Sequence, residues 1–124
     1  FYPKIYEDDR GFFMESFNTH IQKKINQTFI QDNHSKSKKG VIRGLHYQWD
    51  KPMGKLLRVV KGTGLEIIVQ YKTTALYNGN AEGAIHPLKS GLDIDWVLPE
   101  DKILLSEKDK TAQTFEDYKL NPKF

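Results

Sequence analysis

The side chains best suited to moving protons in this chain fall inside or at the ends of extended segments. His46 follows Arg43 and precedes Tyr47 and Gln48, Lys55 opens the next apolar run, and Tyr71, Lys72 and Tyr77 gather at the end of a third. An imidazole titrates near neutral pH, so a histidine with a carboxylate nearby abstracts a proton under ordinary conditions. A tyrosine returns one. Each residue alone also has a plainer reading, because a strand histidine is commonly a hydrogen-bonded polar residue and tyrosines at strand ends commonly pack an edge.

Other chemistries are excluded by composition. The 124 residues contain no cysteine, which removes disulfides, thiolate metal sites and cysteine nucleophiles. The 4 histidines lack metal-ligand spacing, so no metal is expected. Phosphate-cradling and dinucleotide glycine fingerprints are missing too. The net charge of +3 is mild and spread along the chain. With the run Ser35-Lys36-Ser37-Lys38-Lys39 it leaves nucleic-acid binding as a minor alternative. No apolar run reaches the roughly 20 residues of a membrane span, and Phe1-Tyr2-Pro3-Lys4 lacks the pattern of a secretory signal. A start at Phe implies that a few residues precede it. A cytoplasmic location is expected.

Short extended segments must position these groups. Gly11 to Phe17 reads as a strand entered through the charged turn Glu7-Asp8-Asp9-Arg10, and Thr19 to Asn26 as a short helix with Ile21 and Ile25 one turn apart. Phe29 to Ser35 reads as a strand running into a polar loop that ends at Gly40. Val41 to Gln48 alternates as one strand, with Arg43 and Leu45 on one face and Ile42, Gly44 and His46 on the other. Lys55 to Val60 and the β-branched run Leu65 to Thr74 follow. A polar, glycine-rich stretch runs from Asn78 to Gly83, then Ile94 to Pro99 and Ile103 to Ser106 add short extended pieces ahead of an irregular tail. The length suits one core, and many short strands divided by turns predict a β-sandwich, jelly roll or barrel.

The strings Asp9-Arg10-Gly11-Phe12-Phe13-Met14-Glu15-Ser16-Phe17, Gln31-Asp32-Asn33-His34-Ser35, Arg43-Gly44-Leu45-His46-Tyr47-Gln48, Gly54-Lys55-Leu56-Leu57-Arg58-Val59, Tyr71-Lys72-Thr73-Thr74 and Leu105-Ser106-Glu107-Lys108-Asp109 occur in this order. Together they closely resemble the dTDP-4-dehydrorhamnose 3,5-epimerase family, from about Phe1 to Asp109. The resemblance implies an all-β cupin jelly roll with a short helix near the N-terminus, a homodimer with a shared site, and no metal or other cofactor. It implies a dTDP-linked keto-deoxy sugar as substrate, inverted at the two carbons that flank its ketone. Such protons become removable when the enolate is stabilised. By the same resemblance His46 is the base, Asp109 the carboxylate that orients it, Tyr71 the acid on the opposite face and Lys55 the cation at the enolate oxygen. Arg10 and Glu15 match a motif that reaches the nucleotide in a partner subunit's site. Gln31, Asn33, Arg43, Tyr77, Glu82 and Lys108 match further substrate-binding positions.

The match breaks in the middle. The family carries a long central stretch, with further strands and a Pro-x-Gly-x-x-His-Gly motif whose histidine lies in the site, where this chain has only Gly62-Thr63-Gly64 between Lys61 and Leu65. Either segments that lie apart in a longer protein are joined here, the favoured expectation, or the deletion is genuine. A genuine deletion within the single domain spanning residues 1–124 exposes a core face and unpaired strand edges, which makes a reduced sugar-nucleotide binder the alternative. A single-carbon epimerase or keto-isomerase is a further alternative, because the handling of substrate after enolisation depends on the shape of the site. A smaller departure is Ile85-His86-Pro87-Leu88, where the family has a Trp-Asn-Asp or Trp-Asp-Asp segment; His86 reads as structural.

Overall fold

A computed structural model describes residues 2–124; Phe1, where the motif match begins, lies outside them. In chain order the elements are β1 (Ile5–Asp8), β2 (Gly11–Met14), α1 (Thr19–Lys24), β3 (Gln31–Lys38), β4 (His46–Gln48), β5 (Lys55–Gly62), β6 (Glu66–Thr73), β7 (Glu82–Ala84), α2 (Glu107–Lys110) and α3 (Phe115–Leu120), with two single 3₁₀ turns between them. The β-branched run of β6 becomes the centre of a three-stranded antiparallel sheet ordered β3–β6–β5. β1 pairs with β2, and β4 with β7, as two-stranded antiparallel ribbons. Among the described residues these strands do not close into a barrel.

The central sheet has two different faces. Register sets Asn33 against Tyr71 and Tyr71 against Leu57, while Gln31 and Lys55 both oppose Thr73. Side chains alternate along a strand, so Lys55, Leu57, Val59, Ile67, Val69, Tyr71 and Thr73 share one face with Gln31, Asn33, Ser35 and Ser37 of β3. This inner face is only partly covered. Leu57 is 61% exposed and Val59 is 58% exposed, and among the described residues no strand pairs with the outer edge of β5. The buried apolar residues, Ile21, Ala75, Ala81, Ile85 and Tyr118, collect instead around the loops and the short helices.

Several expected elements differ. The lysine-rich run is not a loop through Ser35 to Lys38, because β3 continues to Lys38 along the whole length of β6. Alternation explains it: Ser35 and Ser37 turn inward, while Lys36 turns outward to pair with Glu66 at 2.6 Å. Val41 to Gln48 is not one strand. Gly44 adopts φ +145, which breaks the extended run, and only His46–Gln48 remains paired. The single alternating face expected for Ile42, Gly44 and His46 is therefore lost. Ile94 to Pro99 forms no strand, with Val97 at φ +59, and of Ile103 to Ser106 only Leu104 bridges a neighbour, Val41.

The tail is helical. Ser106 and Thr114 cap the first turns of α2 and α3, and Thr114 and Asp117 form a reciprocal capping box. Both helices begin at a hydroxyl residue with an acid three positions later, a local signal that the polar composition concealed.

Gly40 holds this tail to the sheet. Its carbonyl accepts from Leu104 N at 2.8 Å, and Ile42 N donates to Leu104 O at 3.1 Å. The residue sits at φ +89, and a Cβ built there would stand 2.3 Å from the Lys102 carbonyl oxygen. Gly40→Ala is expected to destabilise the fold by about 1–3 kcal/mol through left-handed strain and overpacking. Urea unfolding measures that loss.

Candidate active site

β4 and β7 form one wall of a cleft. Their register sets Gln48 opposite Glu82 and His46 opposite Ala84, so His46, Gln48 and Glu82 share a face of the ribbon. The inner face of the β3–β6–β5 sheet forms the other wall. Between them lies a cleft of about 740 Å³ lined by Gln31, Asn33, His46, Lys55, Tyr71, Tyr77 and Glu82, among others. A second hollow of about 660 Å³ continues along the same sheet face, sharing His46, Lys55 and Tyr71 and adding Arg43, Ser106 and Asp109.

His46 is anchored from α2. Its Nε2 lies 2.5 Å from Oδ1 of Asp109, whose side chain is 3% exposed. The Ser106 hydroxyl donates to the other Asp109 oxygen at 2.8 Å. Burial pushes the Asp109 carboxyl up, but the bonds from His46 and Ser106, with the charges of His46 and Lys108, outweigh it and hold the group below the usual carboxylate range. With Nε2 turned to a carboxylate, the hydrogen bond assigns the neutral ring's lone pair to Nδ1.

A second cluster stands on the other side of that ring. Tyr77 Oη donates to Glu82 Oε2 at 2.8 Å, Lys108 Nζ donates to the same oxygen, and Glu82 Oε1 lies 3.8 Å from His46 Nδ1. Burial pushes Glu82 up, yet the bonds from Lys108 and Tyr77 and the charges of Lys108 and His46 bring it below its ordinary value. Reciprocally, the bond to Glu82 raises both Tyr77 and Lys108, keeping the phenol neutral and the ammonium charged.

The sequence-derived candidates thus divide. His46, Lys55, Tyr71, Gln31, Asn33, Tyr77 and Glu82 line the first cleft. Asp109 and Lys108 reach it through His46 and Glu82. Arg43 lines the second hollow but donates to Ser37 Oγ at 2.9 Å and to the Lys36 carbonyl at 3.1 Å. Arg10, paired with Asp8 at 2.6 Å, and Glu15, which accepts from Asn18, lie away from both. His86 is buried, and its ring accepts from the backbone of Leu88 and Lys89 at 3.1 Å.

Two positioning residues escaped the sequence reading. Gln48 accepts from Asn78 N at 2.9 Å and donates to the Leu76 carbonyl at 3.2 Å, fixing the loop that carries Tyr77, while Gln31 accepts from Tyr77 N at 3.0 Å. The signal for Gln48 was its place two residues beyond His46. Ser106, read only as the end of an extended piece, both caps α2 and donates to the Asp109 carboxylate; the hydroxyl three residues before that acid was the signal. Among the described residues, no group of three or more His, Asp or Glu side chains stands together as a metal site. No helix of the described residues is long and apolar enough to cross a membrane.

The model of the family described as dTDP-4-dehydrorhamnose 3,5-epimerase matches residues 1–70, more than half of the chain. The chain belongs to the dTDP-4-dehydrorhamnose 3,5-epimerase family. A relative of that name from Methanothermobacter thermautotrophicus is 34% identical over 155 residues, spanning 87% of this chain and 84% of its own. Another, from Shigella flexneri, is 33% identical over 165 residues, spanning 94% and 90%. Both alignments are longer than the 124 residues here, so each relative carries a stretch with no counterpart in this chain. The crystal structure of dTDP-6-deoxy-D-glucose-3,5-epimerase from Legionella pneumophila, in complex with dTDP-4-keto-L-rhamnose, superposes with a TM-score of 0.80. It is 32% identical and covers 92% of this chain and 85% of that one. The cupin architecture expected of an epimerase of this family is therefore present, with more short helices than expected and with its sheets open.

Asp109 ties this epimerase-family site to stability. Its carboxyl lies lower in the folded chain than in the unfolded one, so its charge stabilises the fold above about pH 4 and that contribution is lost as pH falls below it. Asp109→Asn is expected to lower stability at pH 7 and to flatten the loss between pH 5 and pH 2, a difference that urea midpoints measured across that range detect.

Proposed function

We propose that this chain inverts dTDP-4-dehydro-6-deoxy-D-glucose at both carbons flanking the ketone, giving dTDP-4-dehydro-L-rhamnose in dTDP-L-rhamnose biosynthesis. The observation that carries the reading is the His46–Asp109 pair at 2.5 Å, set on a cleft whose facing sheet presents Lys55 and Tyr71 from one side. In each half of the reaction His46 takes the proton from the carbon beside the carbonyl. The electron pair left behind moves into the carbonyl, forming an enolate whose oxygen the Lys55 ammonium neutralises. Collapse of the enolate takes a proton from Tyr71 on the opposite face, which inverts the carbon. Between the two halves the imidazolium releases its proton to solvent and the tyrosinate takes one back, so both groups are ready again. No cofactor enters this balance. Gln31, Asn33, Arg43 and Tyr77 act as substrate-binding groups, and the charged Arg43 fork suits diphosphate oxygens.

The same reading makes residues 1–124 a single domain and pairs two copies in a cytoplasmic homodimer, with Arg10 and Glu15 reaching the nucleotide in a partner subunit's site. The β1–β2 hairpin supports it: Tyr6, its cross-strand partner Phe13, and Phe12 stand exposed on the hairpin that carries Arg10 at its turn. Sedimentation at the mass of two chains is expected, and a lone chain at all concentrations rejects it.

Turnover in deuterium oxide tests the chemistry. Deuterium is expected at both flanking carbons, with His46→Ala lowering the exchange rate by about 10²–10⁴-fold, the usual contribution of a general base; undiminished exchange removes His46 from that role. One observation favours a second reading. The uncovered inner face around Leu57 and Val59, together with the stretch present only in the relatives, fits a reduced chain that binds dTDP sugars without turning them over. Tight dTDP binding with no exchange at either carbon distinguishes it.

A further inference from the structure

Resemblance gives Glu82 a place among the substrate-binding residues, but its geometry points to other work. The carboxylate is split between two tasks: Oε2 accepts from both Tyr77 and Lys108, while Oε1 faces His46 Nδ1 at 3.8 Å and accepts no hydrogen bond among the described residues. The side chain is 12% exposed, so its charge is little screened by water. Register fixes the placement, since Glu82 opposes Gln48 across the ribbon and so stands on the face that carries His46.

The imidazole is consequently flanked by Asp109 at Nε2 and by Glu82 at Nδ1. Lys55 from β5 and Tyr71 from β6 stand across the cleft, and Arg43 lines the adjoining hollow. Nδ1 carries the lone pair, so it is the nitrogen that receives an abstracted proton. Once it does, an N–H faces an unoccupied carboxylate oxygen. We propose that Glu82 is a positioning residue for His46: its free oxygen steadies the imidazolium formed at each proton abstraction, while its other oxygen holds Lys108 and Tyr77 at the rim of the cleft. Lys108 tunes the effect, because an ammonium on Oε2 withdraws part of the charge that His46 meets. The inference rests on the proposed role of His46 as base, but the contact itself exists in the resting protein and is measured there without turnover.

The test is ¹⁵N NMR titration of His46 in the full chain, paired with exchange kinetics on the dTDP keto-sugar. Glu82→Gln keeps the shape and removes the charge, so the His46 titration is expected to move to lower pH than in the parent protein. Lys108→Met strips the cation from Glu82 and is expected to move it the other way. Opposite shifts cannot come from general loosening of the fold, which moves both variants alike. Glu116→Gln, at an exposed carboxylate paired with Lys119 on α3, is expected to leave the titration in place. In kinetics, Glu82→Gln is expected to lower kcat for exchange by about tenfold or more while changing dTDP affinity less than threefold. The inference is overturned if neither variant shifts the His46 titration, or if Glu82→Gln weakens dTDP binding and leaves kcat intact. A parent protein that exchanges no protons, yet shows the opposed titration shifts, overturns the proposed function and leaves the contact between Glu82 and His46 standing.

Discussion

A buried carboxylate must find partners or give up its charge, and Asp109 finds them 63 positions away in His46. That contact ties the C-terminal part of the chain to the β4–β7 ribbon. The Ser106 hydroxyl accepts from the helix backbone and donates to the carboxylate, so the cap of α2 is also the second ligand of its charge. The Val41–Leu104 bridge brings the same segment to the end of β3. Remove the hydrogen bond to His46 and these contacts hold a helix with no reason to face the cleft.

The central sheet and the bridge strands contribute in different ways. β6 is held on both edges and presents Tyr71 between Asn33 and Leu57, which fixes the phenol on a rigid element. His46 sits at the end of a three-residue strand that depends on β7 alone, and so relies on side-chain contacts on both flanks of its ring. Rigidity on one wall and clamping on the other give the same outcome, an imidazole and a phenol that line one cleft.

Much of this was legible from the residues. A short apolar run marked β5, β-branching marked β6, and ordered motifs marked the family and most of the cleft lining. Where reading failed, the cause was physical in each case. Lys36 and Lys38 looked like a solvated loop because charge dominates composition, whereas Ser35 and Ser37, alternating with them, obeyed the period that placed the run on a sheet. Gly44 looked like a small strand residue, but its left-handed backbone ended the strand. The helices of the tail were hidden by polarity, since short capped helices rest on hydroxyl and carboxylate caps more than on an apolar stripe. Which oxygen of Glu82 binds Lys108 and which faces His46 is a matter of three dimensions and had no trace in the spacing.

The tight turn between β5 and β6 has a consequence of its own. Thr63 closes it with its hydroxyl, which accepts from Leu65 N at 3.2 Å and Glu66 N at 3.1 Å, so both strands are already zipped together before the turn begins. Extra chain entering at such a tip need not disturb the pairing beneath it, and loop-closure entropy grows only slowly, by about 0.6 kcal/mol for each doubling of length. The hairpin is therefore a port at which material is gained or lost while the strands carrying Lys55 and Tyr71 keep their register. In this architecture chain length and the register of these two strands vary independently, and the tip of one hairpin is what separates them.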